Sequence, residues 1–350
     1  QVYDSGAYAD ALDAVLDALG VEDLRADQVR RRSDGEGSLL GIGFAAYVEI
    51  ANPTRASEFG SVTIRPDGSV VVLTGSSAHG QGHHTTFAQV AADVLGIDFD
   101  LIEVRHGDTD EVARGGGTGG SRSLQAGGVA VHRASEAVVE DAKRVVAGLL
   151  EASADDVVLD VDSGGFSVAG SPTVQVGWTD VAAEAARIGE QLAEEVDFNP
   201  PGATFPFGVH ASVVEVDRET GQVSILRHVA CDDAGIIVNP MIVDGQVHGG
   251  IAAGVAQALM EEFRYADDGT PLTTNFMDYG IVSAVELPSF ERIVQETPTD
   301  VNPLGVKGIG EAGTIGAMPA VQNAVVDALA HLGVHHVDIP LVSQRVWETI

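Results

Sequence analysis

Two stretches of this chain repeat one pattern, and the repeat limits the fold more than any other feature. Residues 61–70 alternate through Ser61, Val62, Thr63 and Ile64, turn at Pro66, Asp67 and Gly68, and resume at Val70. Residues 212–223 do the same, with Val213, Val214 and Val216 before a turn at Gly221 and Val223 after it. Apolar alternation broken at a Gly-bearing turn is the signature of a β-hairpin. Each hairpin is followed by Gly-Gln-x-His: Gly80, Gln81, Gly82 and His83 first, then Gly245, Gln246, Val247 and His248. The first leads into a helix with Phe87, Val90, Ala91, Val94 and Leu95 on one face, the second into a helix over residues 251–260. The spacing predicts two related β/α modules, each presenting a Gln and a His at a helix N-terminus. Chance similarity of two hairpins is the competing reading. The first module is placed at residues 1–198 and the second at 199–350, divided at Asn199, Pro200, Pro201 and Gly202. The fold class is α+β, mixed sheets packed with helices.

The remaining elements follow from periodicity and turn residues. Residues 8–19 read as a helix, because Leu12, Val15, Leu16 and Leu19 recur at helical spacing. After the charged stretch 25–36, the apolar run 39–50 reads as the first strand. A Gly-rich loop, 115–123, precedes a long helix over 125–150. Residues 151–178 read as a strand pair turning at Gly164 and Gly165, and residues 179–196 as an acidic amphipathic helix. Residues 319–332 read as a helix with Pro319 at or near its first turn.

Composition narrows the function classes. The chain has 350 residues and is 45% hydrophobic, enough for two cored domains and too apolar for wholesale disorder. Acidic residues outnumber basic ones 52 to 19, and Lys143 and Lys307 are the sole lysines. A nucleic-acid surface needs clustered Lys and Arg, so no nucleic-acid partner is expected. The acidic surface reads either as a solubility device or as adaptation to high salt, which screens self-repulsion. Cys231 is the single cysteine, so this chain alone holds no disulfide, thiolate zinc site or iron–sulfur cluster. No apolar run reaches the roughly 18 residues of a membrane span, and no signal peptide opens the chain, which makes the cytoplasm the default location. The chain starts at Gln1 without a Met and reads as a piece of a longer one.

Three Gly-rich segments feed helix starts: 80–83, 115–123 and 308–316. Helix N-termini carry free N–H groups and partial positive charge, so they suit phosphate. None of the three is a P-loop or a dinucleotide fingerprint, and each alone reads as a turn as readily as a site. Together with Arg122, an anion fork, they point to one large phosphate-containing cofactor held by backbone. Glu311 lies between Gly310 and Gly313, so its carboxylate can approach a substrate uncrowded and act as a base; the alternative is a Glu on a solvated turn. No histidine spacing matches a metal motif, and no nucleophile elbow occurs.

Several of these strings share a family likeness. Residues 78–89, with Gln81 and Gly82, resemble the cofactor-binding G-Q-G-x-x-T segment of the molybdenum hydroxylases. These are the xanthine dehydrogenase, aldehyde oxidase and carbon monoxide dehydrogenase large subunits. Residues 105–110 and then 119–123 are similar to the next segments of that family's chain. Residues 238–250 resemble the family's N-P-x-x-x-x-G-Q-x-x-G-G, and residues 304–316 its catalytic loop. The likeness runs along nearly the whole chain, corresponds to the C-terminal, molybdopterin-binding half, and looks nearest to the carbon monoxide dehydrogenase branch.

The resemblance implies molybdenum carried by a molybdopterin cytosine dinucleotide, with the metal held by the pterin dithiolene and by no protein ligand. It implies cofactor contacts at Gln81, Gly82 and His83, and at Ser121, Arg122 and Ser123 around the diphosphate or pterin end. Asn239 and Gln246 would hydrogen-bond the pterin, and Lys307, Gly308 and Gly310 would line the cofactor. Glu311 would be the base beside the metal. Expected partners are an iron–sulfur subunit, an FAD subunit, the N-terminal half of the large subunit and a small-molecule substrate. One departure stands out: Asp233, Ala234 and Gly235 occupy a place where the family often has Asp-Cys-Gly, with Cys231 displaced. The family's substrate-facing loop belongs to the N-terminal half, so carbon monoxide, an aldehyde and an N-heterocycle all stay open as substrates. The rival reading is a structural fragment that needs its other half to bind cofactor.

Overall fold

Gly68 and Gly221 have φ of 84° and 72°, a backbone region that side chains resist, and both expected hairpins turn there. The computed structural model describes residues 2–35 and 37–350. The first hairpin joins β2 (Glu58–Ile64) to β3 (Val70–Thr74), and the second joins β9 (Phe207–Asp217) to β10 (Val223–Asp233), both antiparallel. Each hairpin then continues through a helix to a strand parallel to its second arm. In the first module α3 (His83–Leu95) leads to β4 (Ile102–Arg105) beside β3. In the second, α6 (Pro240–Leu259) leads to β11 (Phe290–Gln295) beside β10. Parallel neighbours need such a crossover, so the repeat extends beyond the hairpins.

The strand pairing ignores the division at 198/199 in one place. The first sheet runs β4-β3-β2-β8, with β8 (Ala193–Phe198) on its edge. The second runs β1-β9-β10-β11, and β1 (Ser38–Val48) pairs antiparallel with β9 from Ser38↔Asp217 to Val48↔Phe207. The N-terminal helices α1 (Tyr8–Leu19) and α2 (Val21–Asp34) pack with this second sheet. The reason lies in Gly41 and Gly43. A Cβ on Gly41 would sit 2.0 Å from the Ala324 carbonyl oxygen, and one on Gly43 2.1 Å from the Ala324 nitrogen. Helix α7 (Ala312–Leu329) therefore lies directly on β1, at a separation that only glycine allows.

The second sheet is covered on both faces. Leu39, Val214, Val216 and Ala230 pack towards α6 and α7, while Leu40, Ile42, Val213, Val229 and Cys231 pack towards α1. Side chains alternate across a strand, so β9 is buried almost throughout and reads as a continuous apolar run. A separate core joins the first sheet to α3, α4 (Val129–Leu149) and α5 (Trp178–Ile188), centred on Phe87, Phe166 and Trp178.

Several boundaries differ from expectation, each for a local reason. The long helix over 125–150 begins as a π-helical turn, Ser123–Gly128, before α4. The stretch 151–178 forms three short strands, β5 (Val157–Asp160), β6 (Gly165–Val168) and β7 (Ser171–Gly177). The helix expected over 179–196 ends at Gly189, left-handed at φ 80°, and its last third becomes β8, paired to β2. Helix α6 starts at Pro240 rather than near residue 251, because the Asn239 carboxamide oxygen accepts from the Ile242 N–H at 3.0 Å. Gln246 and His248 therefore sit inside the helix, not at its start. Helix α7 starts ahead of Pro319, because Gly313 lies so close to α6 that a Cβ there would be 2.5 Å from the Val247 carbonyl oxygen. A short α8 (Ser343–Trp347) closes the chain against the second core.

Candidate functional site

Between the two modules lies a cleft of about 540 Å³, a size suited to a large cofactor. Its first wall is made of the loop before α3 and the Gly-rich loop before the π-helical turn; its second is made of the start of α6 and the segment before α7. Every residue expected to bind cofactor lines it except Gly82. Gly82, at φ 77°, is instead where the modules touch: a Cβ there would fall 2.6 Å from the Ile242 side chain.

The first wall holds polar groups without partners. His83 opens α3, is 6% exposed, and stacks on Phe87 at 5.0 Å with the rings 6° apart. Burial pulls its pKa down to about 4, so the ring is neutral near pH 7, and its Nδ1 has no hydrogen-bond partner. The Gln81 carboxamide oxygen accepts from the His79 N–H, which leaves its NH2 group facing the cleft. Arg122 donates to the Gly117 carbonyl at 3.4 Å and lies 3.7 Å from buried Glu58, while its Nε is buried and unpartnered. Thr118 Oγ1 donates to the Ser77 carbonyl at 2.6 Å; with its one hydrogen so engaged, it accepts from Ser123 Oγ at 2.9 Å.

The second wall is framed by contacts within the protein. The Asn239 oxygen caps α6 and its Nδ2 donates to Gln89 Oε1 at 2.8 Å, tying α6 to α3. Both ends of the amide meet protein, with one Nδ2 hydrogen left beyond the Gln89 bond. Lys307 lines the cleft as part of a buried ion pair. Its Nζ lies 2.8 Å from Asp233 Oδ2 with both side chains fully buried, and it also donates to the Ser5 carbonyl at 3.3 Å. Burial pushes the Asp233 carboxyl up and the Lys307 ammonium pulls it back. The pair sets a matched charge into the frame at the edge of the cleft. Gln246 projects from the second turn of α6 into the cleft.

Glu311 is the N-cap residue of α7, exposed at the cleft, rather than a residue of a free loop. Its Oε2 accepts from Ser121 Oγ at 2.6 Å. Ser121 is held at φ 52°, and Gly308 presses on it so tightly that a Cβ on Gly308 would lie 2.0 Å from the Ser121 carbonyl oxygen. Gly310, beside Glu311, is open by comparison. Three helical segments begin along the cleft, at His83, Ser123 and Ala312, and none has a side-chain cap on its free N–H groups. Such starts attract anions.

Two acidic residues escaped sequence reasoning. Glu58 is 2% exposed and faces Ser76 and Arg122. Glu49 is 8% exposed just after β1, beside Ser121 and Glu311, and burial raises its pKa to about 7. The one signal was a carboxylate inside the apolar run 39–50. Cys231 lies outside the cleft, in the core beneath α1, where burial raises its thiol to about 11; Ala234 lines the cleft instead. No helix of the described residues is long and apolar enough to cross a membrane.

A profile of the molybdopterin cofactor-binding domain matches residues 14–288. The carbon monoxide dehydrogenase large chain of Hydrogenophaga pseudoflava is 38% identical over 99% of this chain and 45% of its own length. The chain belongs to the molybdenum hydroxylase family. The nicotine 6-hydroxylase large subunit of Paenarthrobacter nicotinovorans is 34% identical to this molybdopterin-binding domain, over 99% of it and 44% of the relative. A reconstituted CO dehydrogenase from Oligotropha carboxidovorans superposes with a TM-score of 0.93 at 35% identity, covering 99% of this domain and 45% of that chain. The domain thus spans under half the length of the curated relatives it matches.

Proposed function

We propose that this chain is the molybdopterin-binding part of the large catalytic subunit of a molybdenum-dependent oxidoreductase, which oxidises a small molecule with oxygen derived from water. The observation that carries this reading is the meeting of Gln81 and Arg122 from one module with Gln246 and Glu311 from the other on one cleft. The residues suit the cofactor. A pterin needs amide donors and acceptors, which Gln81 and Gln246 offer. A cytosine dinucleotide diphosphate needs an anion site, which Arg122 and the uncapped helix starts offer. His83 Nδ1 and Arg122 Nε are buried polar atoms still lacking partners, a costly state that a polar ligand relieves. Gly117 and Gly119 leave the backbone open, with nothing within 4 Å of where a Cβ would stand.

When bound, the cofactor supplies the redox-active metal. The chain's own residues do the rest. Arg122 and the helix starts hold the anionic end. His83, kept neutral by burial, adds no charge. Ser121 fixes Glu311 through Oε2, which leaves Oε1 to accept the proton released as oxygen reaches the substrate. Electrons leave through iron–sulfur and FAD centres on partner chains, because the lone Cys231 is buried and holds no cluster. The N-terminal half of the large subunit completes the site, and the complex works in the cytoplasm. Relatives at similar identity are named for carbon monoxide and for nicotine, so carbon monoxide, an aldehyde and an N-heterocycle are all candidate substrates.

The test is purification of the complex from its native host, with elemental analysis for molybdenum and acid hydrolysis for cytidine monophosphate. The reading expects both, stoichiometric with this chain, and co-purifying iron–sulfur and flavin subunits. Nucleotide without metal overturns it in favour of an unrelated nucleotide-binding domain. Neither nucleotide nor metal overturns it in favour of a structural fragment.

A further inference from the structure

Three chain segments distant in sequence converge on the Ser121 hydroxyl. Glu311 arrives from the start of α7 and accepts its hydrogen at 2.6 Å. Gly308 closes over the Ser121 backbone, at a distance no side chain permits. Glu49 arrives from the end of β1, fixed by its N–H to the Pro206 carbonyl at 2.9 Å. Three residues on, the Asn52 N–H donates to the Gly120 carbonyl at 2.8 Å, which locks the Glu49 segment to the Ser121 loop. Glu49 is the unusual member. It is 8% exposed, and both of its carboxylate oxygens are buried without a well-formed hydrogen bond. Ser121 and Glu311 lie near enough to act on it, though neither is its hydrogen-bond partner.

An ionised carboxylate left so would be expensive. What acts on Glu49 is burial, the Ser121 hydroxyl and the Glu311 carboxylate; none of these is a cation. Two carboxylates in one pocket do not ionise independently, and the more buried one keeps the proton. Other titratable groups nearby are already paired. Tyr47, on the same strand, donates to Asp232 at 2.6 Å, and Asp232 in turn bonds His210 at 2.9 Å. Tyr47 is pushed up by burial first, then by Asp232 and Glu49, so it stays neutral and offers no charge to Glu49.

We propose that Glu49 and Glu311 form one proton-sharing carboxylate pair beside Ser121, in which Glu49 is the positioning residue that sets the protonation state of Glu311. This rests on Glu311 being the base proposed above. With Glu49 holding the proton of the pair, Glu311 stays a carboxylate able to accept one.

The decisive measurement is an infrared titration of the full chain, following the carbonyl band of protonated carboxyl groups across neutral pH. Wild type should lose such a band near pH 7, as Glu49 gives up its proton. Glu49→Gln should lack that step, Glu49→Asp should restore it, and Ser121→Ala should shift its midpoint. In the assembled complex, turnover of wild type should carry a step near the same pH, which Glu49→Gln removes and Glu49→Asp recovers. A residue with only a structural role would lower turnover equally at every pH. If Glu49→Gln keeps the infrared step or leaves the pH profile unchanged, the pair does not exist. If Glu49→Gln does not fold, Ser121→Ala decides, and an unmoved midpoint overturns the proposal. Glu311→Gln with normal turnover would instead sink the parent reading, so the two failures are distinguishable.

Discussion

Gly80–His83 ends a loop held by glycines at φ 106° and 77°, whereas Gly245–His248 is wound into the second turn of α6. The two segments share their letters and face the same cleft, yet they are built on different principles. The first wall is backbone-rich and leaves His83 Nδ1 and Arg122 Nε unpartnered. The second is a helix frame, closed by the Asn239 cap, the Asn239–Gln89 bond and the buried Lys307–Asp233 pair. One wall is prepared to receive a ligand, and the other fixes where Glu311 and Gln246 stand. Four experiments probe that contrast.

The largest effect is expected at the tip of the second wall. Glu311→Gln keeps the shape and the acceptor for Ser121 but removes the base. In the assembled complex, turnover normalised to bound molybdenum should fall about 10²–10⁴-fold while metal content holds. Near-normal normalised turnover would reduce Glu311 to a structural partner of Ser121.

Next comes the frame. Lys307→Met strands Asp233 as a lone buried charge and should destabilise the fold by about 3–5 kcal/mol in urea melts. The double variant Lys307→Met with Asp233→Leu should recover much of that. If Lys307→Met left stability intact but lost cofactor, Lys307 would belong with the receiving wall and the contrast would break.

The first wall is tested by acid. The pKa of His83 in the fold is about 4, below the ordinary value of 6.5, so folding favours the neutral ring. That contribution is fully present above about pH 6.5 and disappears as pH falls through 4. It is worth on the order of 3 kcal/mol. Wild type should therefore lose more stability than His83→Gln over that window. Parallel pH–stability curves for the two proteins would place His83 in an open, solvated site instead.

The smallest effects compare the matching glutamines. Gln81→Ala and Gln246→Ala should each weaken cofactor retention by about 1–3 kcal/mol, the cost of one unmatched polar partner. Metal and nucleotide content after dialysis would show it. Full retention in one variant and loss in the other would mean that one wall does the binding.

Much of this molecule was legible from local pattern. Helix α1 falls where Leu12, Val15, Leu16 and Leu19 recur, and both hairpins turn at the glycines that marked them. The Gly-rich segments do precede helical starts, because glycine at positive φ is a local requirement. Misreadings came where a partner overrode local preference. The acidic stretch ending at residue 196 alternates well enough to serve as the edge strand β8, and β2 was there to take it. Pro319 did not start α7, since the contact between Gly313 and α6 began the helix earlier.

Sequence by itself determined the repeat, the glycine turns and the strings that carry the family likeness, for these depend on neighbours along the chain. Tertiary structure alone decided that β1 belongs to the second sheet, paired with β9 more than 150 residues away. It also decided that Lys307 turns inward to Asp233 and that Glu49 is buried near Ser121 and Glu311. The physical reason is the same in each case. Strand pairing, ion pairing and shared protonation depend on distance in space, and a residue type carries no record of what folding will bring beside it.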